Sequence, residues 1–238
     1  MKHGSSRHSD RAARIHIDGD ALRHNLARVR HYAPTSQVMA VIKANAYGHG
    51  VLSAAAYLDD ADAFAVAVPA EAVMLRQAGI KKMLVVLQGF ANQDELEDCV
   101  EHDLQAVIHQ QWQADMLSKA SGFEIDTWLK IDTGMHRLGV PLEAAEQTYQ
   151  CLASSAVVRS IRMMSHFANA DHPDHVLNNS QLEKFINVLS GITAERSIAN
   201  SGAITSNAAS HLQWVRPGIM LYGSSPLYGT GAGELGLE

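Results

Sequence analysis

Lys43 stands where an apolar run ends and a stretch of small residues begins, a position that gives its amine chemistry an ordinary surface lysine lacks. Val38-Met39-Ala40-Val41-Ile42 is apolar and β-branched, as a buried parallel strand requires, and Lys43 interrupts it where the strand should leave the core. Ala44-Asn45-Ala46-Tyr47-Gly48-His49-Gly50 then lets the backbone turn tightly and come close to a ligand. Desolvation disfavours the ammonium form of a lysine, and a neutral amine forms a Schiff base with a carbonyl cofactor. A lone lysine at a strand end more often snorkels to water. The surrounding stretch argues for the chemical role.

Four further blocks place reactive side chains beside predicted strand ends: Lys130-Ile131-Asp132-Thr133-Gly134-Met135-His136-Arg137, Ser165-His166-Phe167, Asn200-Ser201-Gly202 and Val215-Arg216-Pro217-Gly218-Ile219. Each has an ordinary alternative. Tyr47 could be a core tyrosine, Ser201 a helix cap, Gly218 and Ile219 a turn, Arg216 a loop cation, Lys130 a barrel-lining lysine and His166 a hydrogen-bonded strand-end histidine. Asp171-His172-Pro173-Asp174-His175 crowds four candidate metal ligands into five residues, but the proline marks a loop and no helix presents the histidines together, so no metal site is expected. Asn178-Asn179-Ser180 matches a glycosylation acceptor that is idle without a secretion signal.

From Arg14 onward short apolar runs alternate with amphipathic stretches, the pattern of an α/β fold. Ile15-His16-Ile17 reads as a short extended segment. Asp18, Gly19 or Asp20 then caps a helix that places Leu22, Leu26, Val29 and His31 near one face. Strands are expected at Val38 to Ala44, Ala63 to Val68, Met83 to Leu87, Gln105 to Ile108, Thr127 to Ile131, Val158 to Ser165, Arg196 to Ala199 and Met220 to Tyr222. Helices are expected at Pro69 to Ala78, Asn92 to His102, Gln110 to Lys119, Leu142 to Ala153, Asn179 to Leu189 and near Ala203. Eight right-handed β-α units close into a (β/α)8 TIM-type barrel, whereas an open doubly wound sheet more often carries a Gly-rich fingerprint after its first strand, which is absent here. In a barrel, Lys43, Arg137, His166, Asn200, Ser201 and Arg216 fall on one rim.

At 238 residues the chain suits one such domain of roughly 250 residues. The expected division is a disordered arm over residues 1–12, the barrel over 13–223 and a Gly-rich tail over 224–238. A net charge of −6 and 6% aromatic residues argue against nucleic acid, and no apolar run reaches the roughly 20 residues of a membrane helix. Cys99 and Cys151 lack zinc-ligand or redox-pair spacing and read as reduced thiols. Met1 to Ala12 is a poor secretion signal, so a cytoplasmic location is expected.

Val41-Ile42-Lys43-Ala44-Asn45-Ala46-Tyr47-Gly48-His49-Gly50, the four blocks above and the continuation Met220-Leu221-Tyr222-Gly223 resemble, in order, the signatures of the alanine racemases. That resemblance implies pyridoxal 5′-phosphate as cofactor, alanine as substrate, D-alanine supply for peptidoglycan as the role, and a homodimer for the full-length family. It assigns the cofactor's aldehyde to Lys43, which also serves as a catalytic base. Its phosphate falls to Tyr47, Ser201 and the backbone at Gly218 and Ile219, with Asn200 beside them. The pyridine nitrogen is assigned to Arg216, with His166 adjacent, and the phenolic oxygen to Arg137. Lys130 occupies the position where the family often carries a carbamylated lysine. An arginine at the pyridine nitrogen keeps that ring neutral and makes it a weaker electron sink. The resemblance covers the first two-thirds or so of the family's usual length, without the carboxyl-terminal β domain whose tyrosine serves as second base. The expectation is therefore a truncated racemase lacking that base, the alternative being a non-catalytic single-domain cofactor-binding or homeostasis protein.

Overall fold

The computed structural model describes residues 16–188 and 190–238. The arm expected over residues 1–12, and Ile15 and Leu189 at the edges of expected elements, lie outside these. Eight parallel strands form the barrel: β1 (Gln37–Val41), β2 (Ala63–Val66), β3 (Met83–Val86), β4 (Gln105–Ile108), β5 (Ile125–Asp132), β6 (Val158–Met164), β7 (Arg196–Asn200) and β8 (Trp214–Arg216). They pair in chain order, and β8 returns to β1 through Gln37 opposite Trp214 and Val38 opposite Val215. The barrel is closed. A two-residue strand, Val140–Pro141, adds to β5 beyond the ring.

Helices α1 (Gly19–Tyr32), α2 (Val51–Tyr57), α3 (Pro69–Gln77), α4 (Gln93–Glu101), α5 (Gln111–Lys119), α6 (Ala145–Ala153), α7 (Val176–Asn187) and α8 (Ser201–Ser206) lie outside the strands. The helix expected from Leu142 begins as a 3-10 turn, Leu142–Ala144, that runs into α6. Asp18 caps α1 by accepting from the amides of Asp20 (2.9 Å) and Ala21 (3.3 Å). Leu22, Leu26 and Val29 form its buried face, but His31 is exposed, on the opposite side of the helix at about 100° per residue. Helix α1 contacts α2, α8 and the turn after β8, so it fills the gap in the helical ring that no helix after β8 occupies.

Period-2 alternation divides the apolar residues between two cores. Met39, Val41, Ala63, Ala65, Val85, Val107, Trp128, Met164 and Trp214 fill the barrel, while Val38, Ala40, Ile42 and their counterparts pack outward against the helices. Trp128 and Trp214 meet edge-on, centroids 5.9 Å apart, and plug one end of the interior. The outer core also takes in Leu235 and Leu237. Asn25 of α1 binds that segment from both sides, donating to Glu238 O (2.7 Å) and accepting from Glu238 N (2.9 Å).

Helix α2 has no counterpart among the expected helices, and three further elements differ from expectation. The eighth strand is Trp214–Arg216, not Met220 to Tyr222, which instead forms part of a 3-10 turn, Ile219–Tyr222. The apolar Ile-Met-Leu-Tyr run has strand composition, but Pro217 and Gly218 break the chain before it and Gly223, at φ 73°, ends it. Helix α7 starts at Val176, because the His175 side chain accepts from Leu177 N (3.2 Å) and supplies an N-cap its residue type does not advertise. Finally, β1 stops at Val41, and the chain enters a turn at Lys43.

Candidate active site

Helical hydrogen bonding resumes at Lys43–Tyr47 with left-handed geometry: φ and ψ are 51° and 52° at Ala44, 54° and 45° at Asn45, 55° and 52° at Ala46. Tyr47 continues it at φ 55°. An L-residue in this region is disfavoured by about 1–2 kcal/mol, so fixed contacts must hold the turn. Ala46 N donates to Ile42 O (2.9 Å) and Gly48 N to Ala44 O (3.1 Å), while Asn45 Oδ1 accepts from Val51 N (2.9 Å) at the start of α2. Residues four apart share a face of such a turn, and Lys43 and Tyr47 both border the same cavity.

That cavity, about 990 Å³, opens at the carboxyl ends of the strands. Every residue expected to act lines it: Lys43, Tyr47, Lys130, Arg137, His166, Asn200, Ser201, Arg216, Gly218 and Ile219. Around one side the backbone closes on Tyr47. A Cβ on Gly218 would lie 2.5 Å from Tyr47 Oη, so a larger residue there would have to displace the Tyr47 side chain. Gly218 N donates to Ser201 Oγ (2.8 Å), and Asn200 caps α8 by accepting from Ala203 N (3.1 Å). Tyr47 packs on Tyr222 (5.0 Å), whose hydroxyl donates to Val41 O (3.1 Å). Burial raises the Tyr47 phenol against the pull of Arg137, which keeps it a neutral donor.

The opposite side is cationic. Arg216, 4% exposed, donates to Ser197 Oγ and Ser165 O and lies 3.2 Å from His166 Nδ1. Burial and Arg137 bring its guanidinium down to about 9, so it stays protonated at neutral pH. His166 is pushed well below the ordinary histidine range by burial first, then by Arg216, Lys130, Arg137 and Lys43. Lys130, 7% exposed, is lowered to about 7 by burial, reinforced by Arg216 and Arg137. Asp132 ends β5 and binds the following loop: its Oδ1 accepts from Gly134 N, Met135 N and His136 N at 2.9, 3.0 and 3.1 Å, which fixes the segment carrying Arg137.

Sequence reasoning missed part of this wall. His109, directly after β4, lines the cavity beside Leu87, Gln88, Trp112 and Met164. Its Nε2 lies 3.0 Å from Gln88 O and therefore donates. Its buried Nδ1 has no partner among the described residues. The strand-end position that singled out His166 would have found it. Asp171 also borders the cavity, but the rest of the Asp171 to His175 cluster lines a separate shallow pocket. No group of three or more metal-ligating side chains occurs among the described residues.

Lysine amine, protonated arginines, hydroxyls and turn amides around one cavity are the donor set that pyridoxal phosphate requires, an aldehyde with a dianionic phosphate and a ring nitrogen. The residues fit the group.

Residues 17–226 match the family model described as "Alanine racemase, N-terminal domain". The alanine racemase of Shewanella sediminis is 45% identical over 94% of this chain and 63% of its own length. The biosynthetic alanine racemase of Escherichia coli is also 45% identical, over 95% of this chain and 64% of its own length. Among solved structures, biosynthetic alanine racemase from Pseudomonas aeruginosa superposes with TM-score 0.89 at 41% identity, covering 93% of this chain and 63% of that one. The alanine racemase of Acinetobacter baumannii gives 0.87 at 35%, covering 93% and 66%. The chain thus spans about 63% of the length of the first curated relatives it matches. By sequence over nearly its whole extent and by fold, this chain belongs to the alanine racemase N-terminal domain family.

Proposed function

We propose that this chain is the pyridoxal 5′-phosphate-binding barrel of a cytoplasmic, dimeric alanine racemase that interconverts L- and D-alanine for peptidoglycan synthesis. The observation that carries the reading is the gathering of Lys43, Tyr47, Arg137, His166, Ser201 and Arg216 around one cavity. When bound, the cofactor supplies an aldehyde for the substrate's amino group and an electron-withdrawing ring for its α-carbon.

Lys43 Nζ anchors the aldehyde and carries the α-proton on one face of the substrate. Tyr47 Oη, Ser201 Oγ and the turn at Gly218 and Ile219 bind the phosphate, the Gly218 amide acting through Ser201 Oγ, to which it donates, and Asn200 orients Ser201 through the helix start. Arg216 donates to the pyridine nitrogen and, remaining protonated, keeps it from acquiring a proton, which disfavours long-lived carbanions and transamination. His166 accepts from Arg216 and holds it in place. Arg137 binds the phenolic oxygen. With its amine near 7, Lys130 has a large neutral fraction at physiological pH, as reaction with carbon dioxide requires; the resulting carbamate would be an anion orienting Arg137.

Inversion needs proton removal and return on opposite faces. Tyr47 is the one tyrosine among the described cavity-lining residues, and its hydroxyl lies against Gly218. The second base is assigned to the portion of the relatives that this chain does not span.

The chain reconstituted with pyridoxal phosphate should show the visible absorbance of a lysine-bound cofactor, absent in Lys43→Ala, and should wash deuterium from the α-carbon of L-alanine without forming D-alanine. Cofactor binding without exchange favours the non-catalytic alternative. Absence of both refutes the reading.

A further inference from the structure

Glu71 is not among the residues the family signatures single out, yet its carboxylate contacts the turn that carries Lys43 and Tyr47. Its Oε1 accepts from Ala44 N and its Oε2 from Ala67 N, both at 2.7 Å. Ala44 is the first left-handed residue after Lys43, and Ala67 is the first residue after β2. One side chain therefore ties together the loops that follow β1 and β2. A glutamate at the third position of a helix ordinarily reaches back to its own N-cap amide. Glu71 occupies that position in α3 but spends both oxygens elsewhere, one of them on a different β-α unit. Glu95 of α4 offers a contrast, since its Oε2 accepts from Ala91 N (2.7 Å) of its own loop.

Four consecutive non-glycine residues at φ 51–55° make this the most strained described segment of the chain. Relaxing it to ordinary right-handed geometry would turn Lys43 and Tyr47 off their common face. The amide of Ala44 lies at the start of the turn, before the turn's own bonds from Ala46 and Gly48 have formed a ladder. We propose that Glu71 is a positioning residue: its two-loop carboxylate clamp holds the left-handed turn, and so presents Lys43 and Tyr47 together to the cofactor. The inference rests on the reading that Lys43 and Tyr47 bind pyridoxal phosphate.

The test uses the full chain and pyridoxal phosphate itself, with three readouts: dissociation constant, fraction of Lys43 trapped by borohydride and read by mass, and thermal midpoint without cofactor. Glu71→Gln keeps one acceptor and should weaken binding about tenfold, the size of one lost charge-assisted hydrogen bond. Glu71→Ala should weaken it further and lower the trapped fraction. Adding Ala44→Gly to Glu71→Ala relieves strain at a positive-φ position and should recover part of the lost affinity, which a general loss of barrel stability would not permit. Should Glu71→Ala not fold, Glu71→Gln with and without Ala44→Gly carries the comparison. Wild-type affinity in both glutamate variants overturns the inference, as does weakening that follows the cofactor-free midpoint and is not rescued by glycine. If Lys43→Ala binds the cofactor as the wild type does, the underlying reading fails instead.

Discussion

His166 Nδ1 lies 3.2 Å from an Arg216 Nη atom, and because a guanidinium only donates, that ring nitrogen is an unprotonated acceptor. The proton of neutral His166 is therefore on Nε2, a tautomer that residue order alone could not supply. A strand-end histidine beside a buried guanidinium thus acts as a fixed lone pair.

Acid should expose that arrangement. His166 titrates in the folded state well below 6.5, so its contribution to stability is present above 6.5 and is lost as the pH falls toward the folded value, where the unfolded chain takes a proton that the folded one refuses. Denaturant unfolding between pH 6.5 and 5 should show wild type losing more stability than His166→Gln, whose amide oxygen still accepts from Arg216. Parallel losses would refute it.

Lys130 gives the same sign in a different window. Its amine drops from 10.5 to about 7 on folding, so stability is greatest above 10.5 and declines as the pH falls to 7, then levels off. In cofactor-free, carbon-dioxide-free buffer, Lys130→Met should be more stable than wild type at pH 7, by an amount that shrinks as the pH approaches 10. A gap independent of pH would contradict the assignment.

Gly218→Ala should cost about 1–3 kcal/mol as an overpacked site, because its methyl falls 2.5 Å from Tyr47 Oη. Tyr47→Phe in the same chain should recover much of that loss while leaving cofactor affinity low. The double-mutant cycle reads the coupling directly; additive effects would show that the two residues do not meet.

At the other end of the barrel, Trp128→Ala should destabilise by about 3–5 kcal/mol, since Trp128 is fully buried against Trp214 and donates to Gln105 Oε1 (2.8 Å). Cofactor affinity of the folded fraction should change little. A large affinity loss would mean that the plug and the cavity are coupled.

Much of the site was legible because barrel geometry sends whatever follows a strand to one rim, and Lys43, Arg137, His166, Asn200 and Arg216 all follow or end strands. His109 obeys the same rule but sits in no recognisable motif. The handedness of the turn after Lys43 was not legible: of Ala, Asn, Ala and Tyr only Asn45 tolerates positive φ at all readily, and a tertiary bond from Glu71 and a local one from Asn45 to Val51 hold it. Helix α2, seven residues and largely apolar after Gly50, was not expected at all, and the eighth strand was misplaced onto Met220 to Tyr222. Both errors arise where short apolar segments suit helix and strand equally. Glu71 escaped because its function is a pair of backbone contacts separated by 23 residues, which no local pattern encodes.

The cationic wall around His166 also has a kinetic meaning. The molecule as a whole repels anions, with a formal charge of −6, yet Lys43, Arg137 and Arg216 concentrate positive potential inside a single concavity. Capture of a phosphorylated aldehyde should therefore be a contest between long-range repulsion and short-range attraction. Added electrolyte mutes the first before the second, because the Debye length at roughly 0.1 M is about 10 Å.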